Sequence, residues 1–254
     1  MSELLSGKTA VVTGGMSGNG RATAKTFAEH GTDVVVADVR EEPRGATVPT
    51  HESIEEETGA GATYVECDVT DKDDLVTATN AADEFGGVDV MVNNAGIFRS
   101  EEFLSVSEAE FDQLIDINVK GAFFGTQVAA ERMQDNGGGS IIQMSSQAGH
   151  TGLRDRTVYC STKFAIEGMT RAMAVDLKGS GIRVNTVAPT FVHTEMTAAQ
   201  LERSDFRDYV DAHILTGKLA EMNEVAAAVI YLASDAAAST TGTSIGVDGG
   251  WLAH

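Results

Sequence analysis

A chain of 254 residues with 42% hydrophobic residues and three prolines has the composition of a folded globular protein, long enough for one large α/β domain that buries roughly 70–75% of its unfolded surface. Its 38 acidic against 18 basic residues give a formal net charge of -20, which argues against nucleic acid or an anionic membrane as a partner. No apolar run reaches the roughly 18 residues of a membrane span, and no basic-then-apolar leader opens the chain; Cys67 and Cys160 are too few for a metal set and read as reduced buried residues, so the expected location is cytoplasmic.

The first predicted element is a short buried strand over Lys8 to Thr13, which runs straight into Gly14-Gly15-Met16-Ser17-Gly18-Asn19-Gly20. An alanine-rich helix closed by Gly31 follows, and a second apolar strand, Asp33 to Asp38, ends in a carboxylate 18 positions after Gly20. Strand, glycine turn, helix, strand and acid make the pattern of a dinucleotide site. Gly14, Gly18 and Gly20, with Ser17 and Asn19 between them, let backbone approach a pyrophosphate at a helix N-terminus, and Asp38 accepts from ribose hydroxyls.

Arg40 to His51 holds two of the three prolines and reads as an irregular loop before a short acidic helix, Glu52 to Thr58. A third strand, Thr63 to Glu66, ends at Cys67-Asp68-Val69, and a helix capped by Thr70 or Asp71 runs to Phe85. The fourth strand, Val88 to Val92, enters Asn93-Asn94-Ala95-Gly96, a second small-residue turn that faces the same crevice, because ligands of open parallel sheets sit beyond the strands' carboxyl ends. Ser107 with Glu110 has the form of a capping box and opens one long helical stretch to Met133. Asn118 lies inside it, where an amide ordinarily bonds neighbouring backbone.

Gly137 to Gly139 break the chain before a fifth strand, Ser140 to Ser145, which delivers Ser146 to the carboxyl edge. A helix over Thr157 to Leu177, a sixth strand over Gly181 to Ala188 and the exit segment beginning at Pro189 follow. Thr194 to Leu215 has mixed charge and no strong periodicity, which predicts a mobile helical lid and not core. A helix, Glu221 to Ala233, and a last strand and turn, Ile245 to Trp251, complete the chain. The alternation predicts an α/β fold, a single doubly wound, mostly parallel sheet with helices on both faces, residues 1–254 forming one domain with a lid over about 190–217.

Tyr159 and Lys163 stand at i and i+4 on the predicted helix, so a phenol and an ammonium share one face. A fixed cation favours the phenolate and pulls the phenol's pKa down from about 10 toward neutrality, where it can exchange a proton with an alcohol or ketone. Most such pairs are solvated helix faces, so the motif needs companions.

The companions are present. Thr13-Gly14-x-x-x-Gly18-x-Gly20, Asn93-Asn94-Ala95-Gly96, Asn118, Ser146, Tyr159-x-x-x-Lys163, Pro189 and Val247-Asp248-Gly249-Gly250 together resemble the classical short-chain dehydrogenase/reductase family, whose fold is a Rossmann fold, over nearly the whole chain. The spacings of 28 residues from Asn118 to Ser146 and 13 from Ser146 to Tyr159 match that family's pattern, and Ser146 is preferred to Ser145 because Gln147-Ala148-Gly149 follows it. The resemblance implies hydride exchange between a nicotinamide and a carbinol or carbonyl carbon, with Tyr159 as proton carrier and Ser146 orienting the substrate oxygen. It further implies that Lys163 holds the nicotinamide ribose and lowers the tyrosine pKa, that Asn118 supports a water-linked relay, and that Pro189, Val192 and Thr194 border the nicotinamide end. Asp68 and Val69 would border the adenine, with Asn94, Ala95 and Gly96 along the dinucleotide; a homotetramer is also implied, and the apolar Trp251-Leu252-Ala253, awkward to leave in water, points the same way. Thr190 departs from the family's usual Pro-Gly.

Asp38 makes NAD the expected cofactor, since a carboxylate there faces the 2′-phosphate of NADP at close range. Val39 stands where the resemblance leads one to expect a phosphate-binding arginine, and Asn19 is no cation; Arg40, two positions after Asp38, is the cation that could swing over such a phosphate. The leading reading is an NAD-dependent alcohol, polyol or sugar dehydrogenase. The alternatives are a 3-oxoacyl carrier-protein reductase, which would want a basic docking face, and a non-catalytic NAD-binding sensor. Phe98, Gln147, His150, Leu153, Phe191, Met196, Phe206 and Tyr209 are the candidate pocket residues, with Arg203 and Arg207 as lid cations that ordinarily pair with neighbouring acids.

Overall fold

The computed structural model of the chain describes residues 4–194 and 197–253. Among these residues seven parallel strands form the sheet: β1 (Thr9–Thr13), β2 (Asp33–Asp38), β3 (Ala62–Glu66), β4 (Val90–Asn93), β5 (Gly139–Met144), β6 (Ile182–Pro189) and β7 (Ser244–Val247). Their order across the sheet is β3-β2-β1-β4-β5-β6-β7, so the winding reverses between β1 and β4 and opens a crevice there. This is the doubly wound architecture the alternation predicts.

Successive side chains of a strand point to opposite faces, and here both faces are apolar. Ala10, Val12, Val34 and Val36 face one core with Phe27 of α1 (Gly18–Glu29), Ile54 of α2 (Thr50–Thr58) and residues 225, 229 and 230 of α9 (Met222–Ala233). Val11, Val35, Met91 and Ile141 face the other, with Leu75 of α3 (Lys72–Ala81) and Val128 and Met133 of α5 (Gly121–Asp135). Asp71 caps α3 by accepting from the Asp73 amide, and Ser107 and Glu110 form the capping box of α4 (Glu108–Ile115).

Three expectations are corrected. The stretch after Ser107 is not one continuous α-helix, since a π turn, Asp116–Lys120, separates α4 from α5 and carries Asn118. The lid is more than a surface segment: α7 (Ala198–Leu201) and α8 (Ser204–His213) have a small core of their own, in which Phe191, Leu201, Val210, Ile214 and Trp251 are buried. Trp251 therefore supplies no exposed apolar end, because it packs 5.5 Å from Phe191 and 4.9 Å from His213, ring centre to ring centre.

Candidate active site

At the β1/β4 crevice lies a cleft of about 390 Å³. Its floor is made by the two turns, which are sewn together. Asn94 Nδ2 donates to the carbonyls of Thr13 at 2.9 Å and Gly14 at 3.1 Å, while the Asn94 and Ala95 amides donate to Thr13 Oγ1 at 3.0 and 3.1 Å. A Cβ on Gly20 would stand 2.1 Å from the Gly14 oxygen and 2.4 Å from Asn94 Nδ2, so only glycine lets the helix start this close to the second turn. Gly14 has φ +64° and Gly18 φ +51°, the left-handed region.

Ser17 stands at the start of α1 without capping it; its Oγ accepts from the Arg44 amide at 3.2 Å. The helix opening is left to an outside acceptor, the arrangement that suits a phosphate. Asp38 Oδ2 accepts from the Met16 amide at 3.1 Å, which holds the carboxylate at the cleft's edge. Three buried polar atoms that line or border this cleft, Asn19 Oδ1, Ser145 Oγ and Thr190 Oγ1, have no partner among the described residues. Buried polar atoms are rarely left unbonded, and three of them at one cleft, beside a glycine cradle and an uncapped helix, fit an extended polar ligand such as a dinucleotide.

β5 carries Ser146 to the cleft, and α6 (Thr157–Asp176) brings Tyr159 and Lys163 against it. Ser146 and Tyr159 are neighbours in the cleft. Ser146 Oγ donates to Gln147 Oε1 at 2.7 Å and accepts from the Ala148 amide at 3.2 Å. Burial pushes the Tyr159 phenol above its ordinary pKa, while the neighbouring Ser146 hydroxyl and the Arg156 charge pull the other way. The expected lowering by Lys163 is corrected, since the nearby cation acting on the phenol is Arg156. Burial pushes Lys163 itself down to about 8, with Glu167 opposing.

Asn118 does not line the cleft. It is buried behind it, accepting from the Ile97 amide at 2.8 Å and donating to the Ile97 carbonyl at 2.9 Å and to Thr162 Oγ1 at 3.3 Å, so it braces the second turn against α6. Of the sequence-predicted residues, Gly14, Ser17, Gly18, Asn19, Asp38, Asp68, Val69, Asn94, Ala95, Gly96, Ser146, Tyr159, Lys163, Pro189, Val192 and Thr194 all line one cleft; Gly20 packs beneath it.

The candidate pocket residues divide. Phe98 meets Tyr159 edge to face at 5.1 Å, and Phe191 and Phe206 meet at 5.2 Å. His150 turns away, its Nε2 lying 3.1 Å from buried Glu167 and 3.2 Å from Ser244 Oγ, so it is no specificity handle in the cleft. Arg203 and Arg207 pair with Asp205 at 3.0 Å and Asp211 at 2.9 Å. Met196 lies outside the described residues. Sequence reasoning missed Arg44, at the Asp38 end of the cleft, and Arg156, buried among the aromatic rings. For Arg156 a signal existed, since it precedes Tyr159 by three positions, one helical turn.

Known proteins resemble the whole chain. A family model described as enoyl-(acyl carrier protein) reductase matches residues 14–252. The D-threitol dehydrogenase of Mycolicibacterium smegmatis is 36% identical over 248 residues, which cover 97% of this chain and 94% of that protein. The crystal structure of a short-chain type dehydrogenase/reductase from Mycobacterium marinum superimposes with a TM-score of 0.90 at 34% identity, covering 98% of this chain and 97% of that one. A chain from Agrobacterium tumefaciens provisionally named 2-deoxy-D-gluconate 3-dehydrogenase, solved with bound NADP, superimposes with a TM-score of 0.89 at 30% identity and 99% coverage of both. Topology, cleft and these likenesses agree: the chain belongs to the classical short-chain dehydrogenase/reductase family of oxidoreductases.

Proposed function

We propose that the protein interconverts a secondary alcohol and its ketone using NAD, with Tyr159 as general acid and base. The observation that carries this reading is that Ser146, Tyr159 and, one helical turn on, Lys163 line the same cleft as the glycine cradle. Bound there, the nicotinamide supplies or accepts the hydride. Ser146 Oγ can bond the substrate oxygen, and Tyr159 gives its proton to that oxygen in reduction or takes it in oxidation. Lys163 would hold the nicotinamide ribose, and Asn118 braces the second turn behind the cleft. Gly14, Ser17, Gly18 and Asn19 would cradle the pyrophosphate, with Asp68, Val69, Asn94, Ala95 and Gly96 along the adenosine half. Pro189, Val192 and Thr194 would border the nicotinamide.

Asp38 supports NAD over NADP, because a carboxylate repels a 2′-phosphate. Arg40 and Arg44, both exposed, line the same end and are the cations a phosphate would use. A carrier-protein substrate is the second reading, supported by the enoyl-(acyl carrier protein) reductase family model that matches the chain, and the acidic balance of the chain weighs against docking an acidic carrier. A homotetramer is supported by the exposed apolar side chains of Phe103, Leu104, Phe111, Phe123 and Phe164 on and around α4, α5 and α6. Reduction of NAD over a panel of secondary alcohols, polyols and sugars, by the protein and by Tyr159→Phe, tests the central reading; equal turnover by the two would sink it.

A further inference from the structure

Glu167 follows Lys163 by four positions on α6, so the two share a face of the helix, and both are buried, at 3% and 7% exposure. The carboxylate is fixed from three directions. Ser244 Oγ donates to its Oε1 at 3.0 Å, Thr186 Oγ1 donates to its Oε2 at 3.3 Å, and His150 Nε2 lies 3.1 Å from Oε1. Thr186 and Ser244 are register partners on β6 and β7, and Thr186 also pairs with Gln143 on β5, so Glu167 stands over one row of the sheet. Lys163 reaches the next row, where its Nζ donates to the Met144 carbonyl at 2.7 Å. The rows that the two charged ends reach are one residue step, about 3.3 Å, apart along the strands. The turn after Ser146 packs over both residues: a Cβ on Gly149 would stand 2.9 Å from the Lys163 carbonyl oxygen and 3.1 Å from Glu167 Cγ.

A buried ammonium bonded to one neutral carbonyl is costly, because that carbonyl returns little of the hydration that burial removes. Burial lowers Lys163, and the opposing influence is the charge of Glu167. The groups facing Glu167 are Lys163 and, at 3.8 Å, the exposed Arg171 from α6, His150 from the turn after Ser146, and the uncharged hydroxyls of Thr186 on β6 and Ser244 on β7. Lys163 itself faces the Met144 carbonyl and the Tyr159 ring. We propose that Glu167 is a positioning residue of this site, whose buried carboxylate is the counter-charge that keeps Lys163 cationic and so fit to bond the nicotinamide ribose. This rests on the alcohol–ketone reading of the site.

An anion beside Lys163 favours its protonated form, so Glu167 holds the lysine charged to a higher pH than burial alone allows. Removing that anion moves the loss of the ammonium to lower pH, and the pH at which kcat/KM of ketone reduction falls should move down with it. His150→Gln keeps the carboxylate and removes one of its competing partners, so it should move neither value downward.

The test reads Lys163 directly, by NMR of the full chain with its lysines isotopically labelled at Cε and with Lys163→Arg identifying the resonance. Its titration midpoint is expected at about 8 in the unaltered protein and about one pH unit or more lower in Glu167→Gln, with Glu167→Asp intermediate. Glu167→Met serves as a second uncharged variant, since an apolar side chain of like size is often tolerated in place of a buried charge. A midpoint that neither uncharged variant lowers overturns the proposal, as does an equal lowering by His150→Gln. Should neither uncharged variant fold, the unaltered protein decides: burial alone takes a fully buried lysine to about 5–6, so a midpoint above about 7 upholds the counter-charge and one below it overturns it. The resonance is read without substrate or cofactor, which separates the two layers of inference. Full turnover in Tyr159→Phe defeats the alcohol–ketone reading and leaves the titration standing, whereas an unmoved midpoint with turnover lost in Tyr159→Phe defeats the role of Glu167 alone.

Discussion

Lys163 donates to the main-chain carbonyl of Met144 at 2.7 Å and stands 5.7 Å from the centre of the Tyr159 ring, so the lysine is tied to the end of β5. Burial brings the ammonium down to about 8, which places its loss of charge inside the working pH range. Lys163 is charged below about 8 and neutral above it, whereas the Tyr159 phenol, pushed up from its ordinary value, keeps its proton throughout this window. Ketone reduction uses the protonated phenol with the cation beside it. The kcat/KM of reduction should therefore fall as pH rises through about 8, and Lys163→Arg, which cannot lose its charge there, should remove that limb from whatever activity it retains. A flat profile between pH 7 and 9 would separate Lys163 from the chemistry.

Tyr159→Phe deletes a proton carrier and leaves the ring against Phe98. Turnover should drop by at least about 10²-fold with the melting temperature little changed. Ser146→Ala should cost more turnover than Ser145→Ala, because Ser146 Oγ neighbours the phenol and is oriented by Gln147 and Ala148, while Ser145 Oγ is buried without a partner among the described residues. Steady-state kinetics of the three variants on one substrate decides; a reversed serine order assigns the substrate oxygen to Ser145.

Asp38→Ala removes the carboxylate held by the Met16 amide and leaves Arg40 and Arg44 at the same end of the cleft. The NAD-over-NADP ratio of kcat/KM should exceed one in the unaltered protein and shrink by about tenfold or more in the variant. Parallel measurements with both cofactors check this, and an initial ratio at or below one removes the role given to Asp38.

Thr190 occupies the exit of β6 with its hydroxyl buried and unbonded among the described residues. Thr190→Val exchanges an unsatisfied polar atom for a methyl of similar shape, which should raise the stability of the ligand-free protein by roughly 1 kcal/mol. If the hydroxyl bonds the dinucleotide, as its place in the cleft supports, the same change weakens NAD binding by about two- to tenfold. Thermal melting and calorimetry read the two effects separately; tighter binding by the variant would show the hydroxyl to be a hindrance.

The 38 carboxyl-bearing residues against 18 basic ones repel one another across the surface. Screening by molar KCl should raise the melting temperature above its value in dilute buffer. A melting temperature that ignores salt would mean the surface charges are already balanced locally by pairs such as Lys25–Glu57.

What the residues determine by themselves is everything that depends on near neighbours in the chain. Unbroken apolar runs in β1, β2 and β4 announce strands buried on both faces, the Ser107–Glu110 box and Asp71 announce helix starts, and the glycines from 14 to 20 announce a turn no side chain can follow. Strand alternation then sends each turn to the carboxyl edge, which is why so many cleft residues are legible without coordinates. Only the tertiary structure decides matters set by distant partners. The π turn that holds Asn118 is invisible to periodicity, since its pattern differs from an α-helix by a single residue. Trp251 reads as an exposed terminus until the lid folds over it, and His150 reads as a pocket residue until Glu167 claims it. The direction of the Tyr159 shift belongs to this second kind. Helical spacing places Lys163 beside the phenol, but the balance between charge and burial is set by Met144 drawing the ammonium away and by Arg156 arriving among rings from three distant segments, because desolvation depends on everything packed around a group and not on its neighbours in sequence.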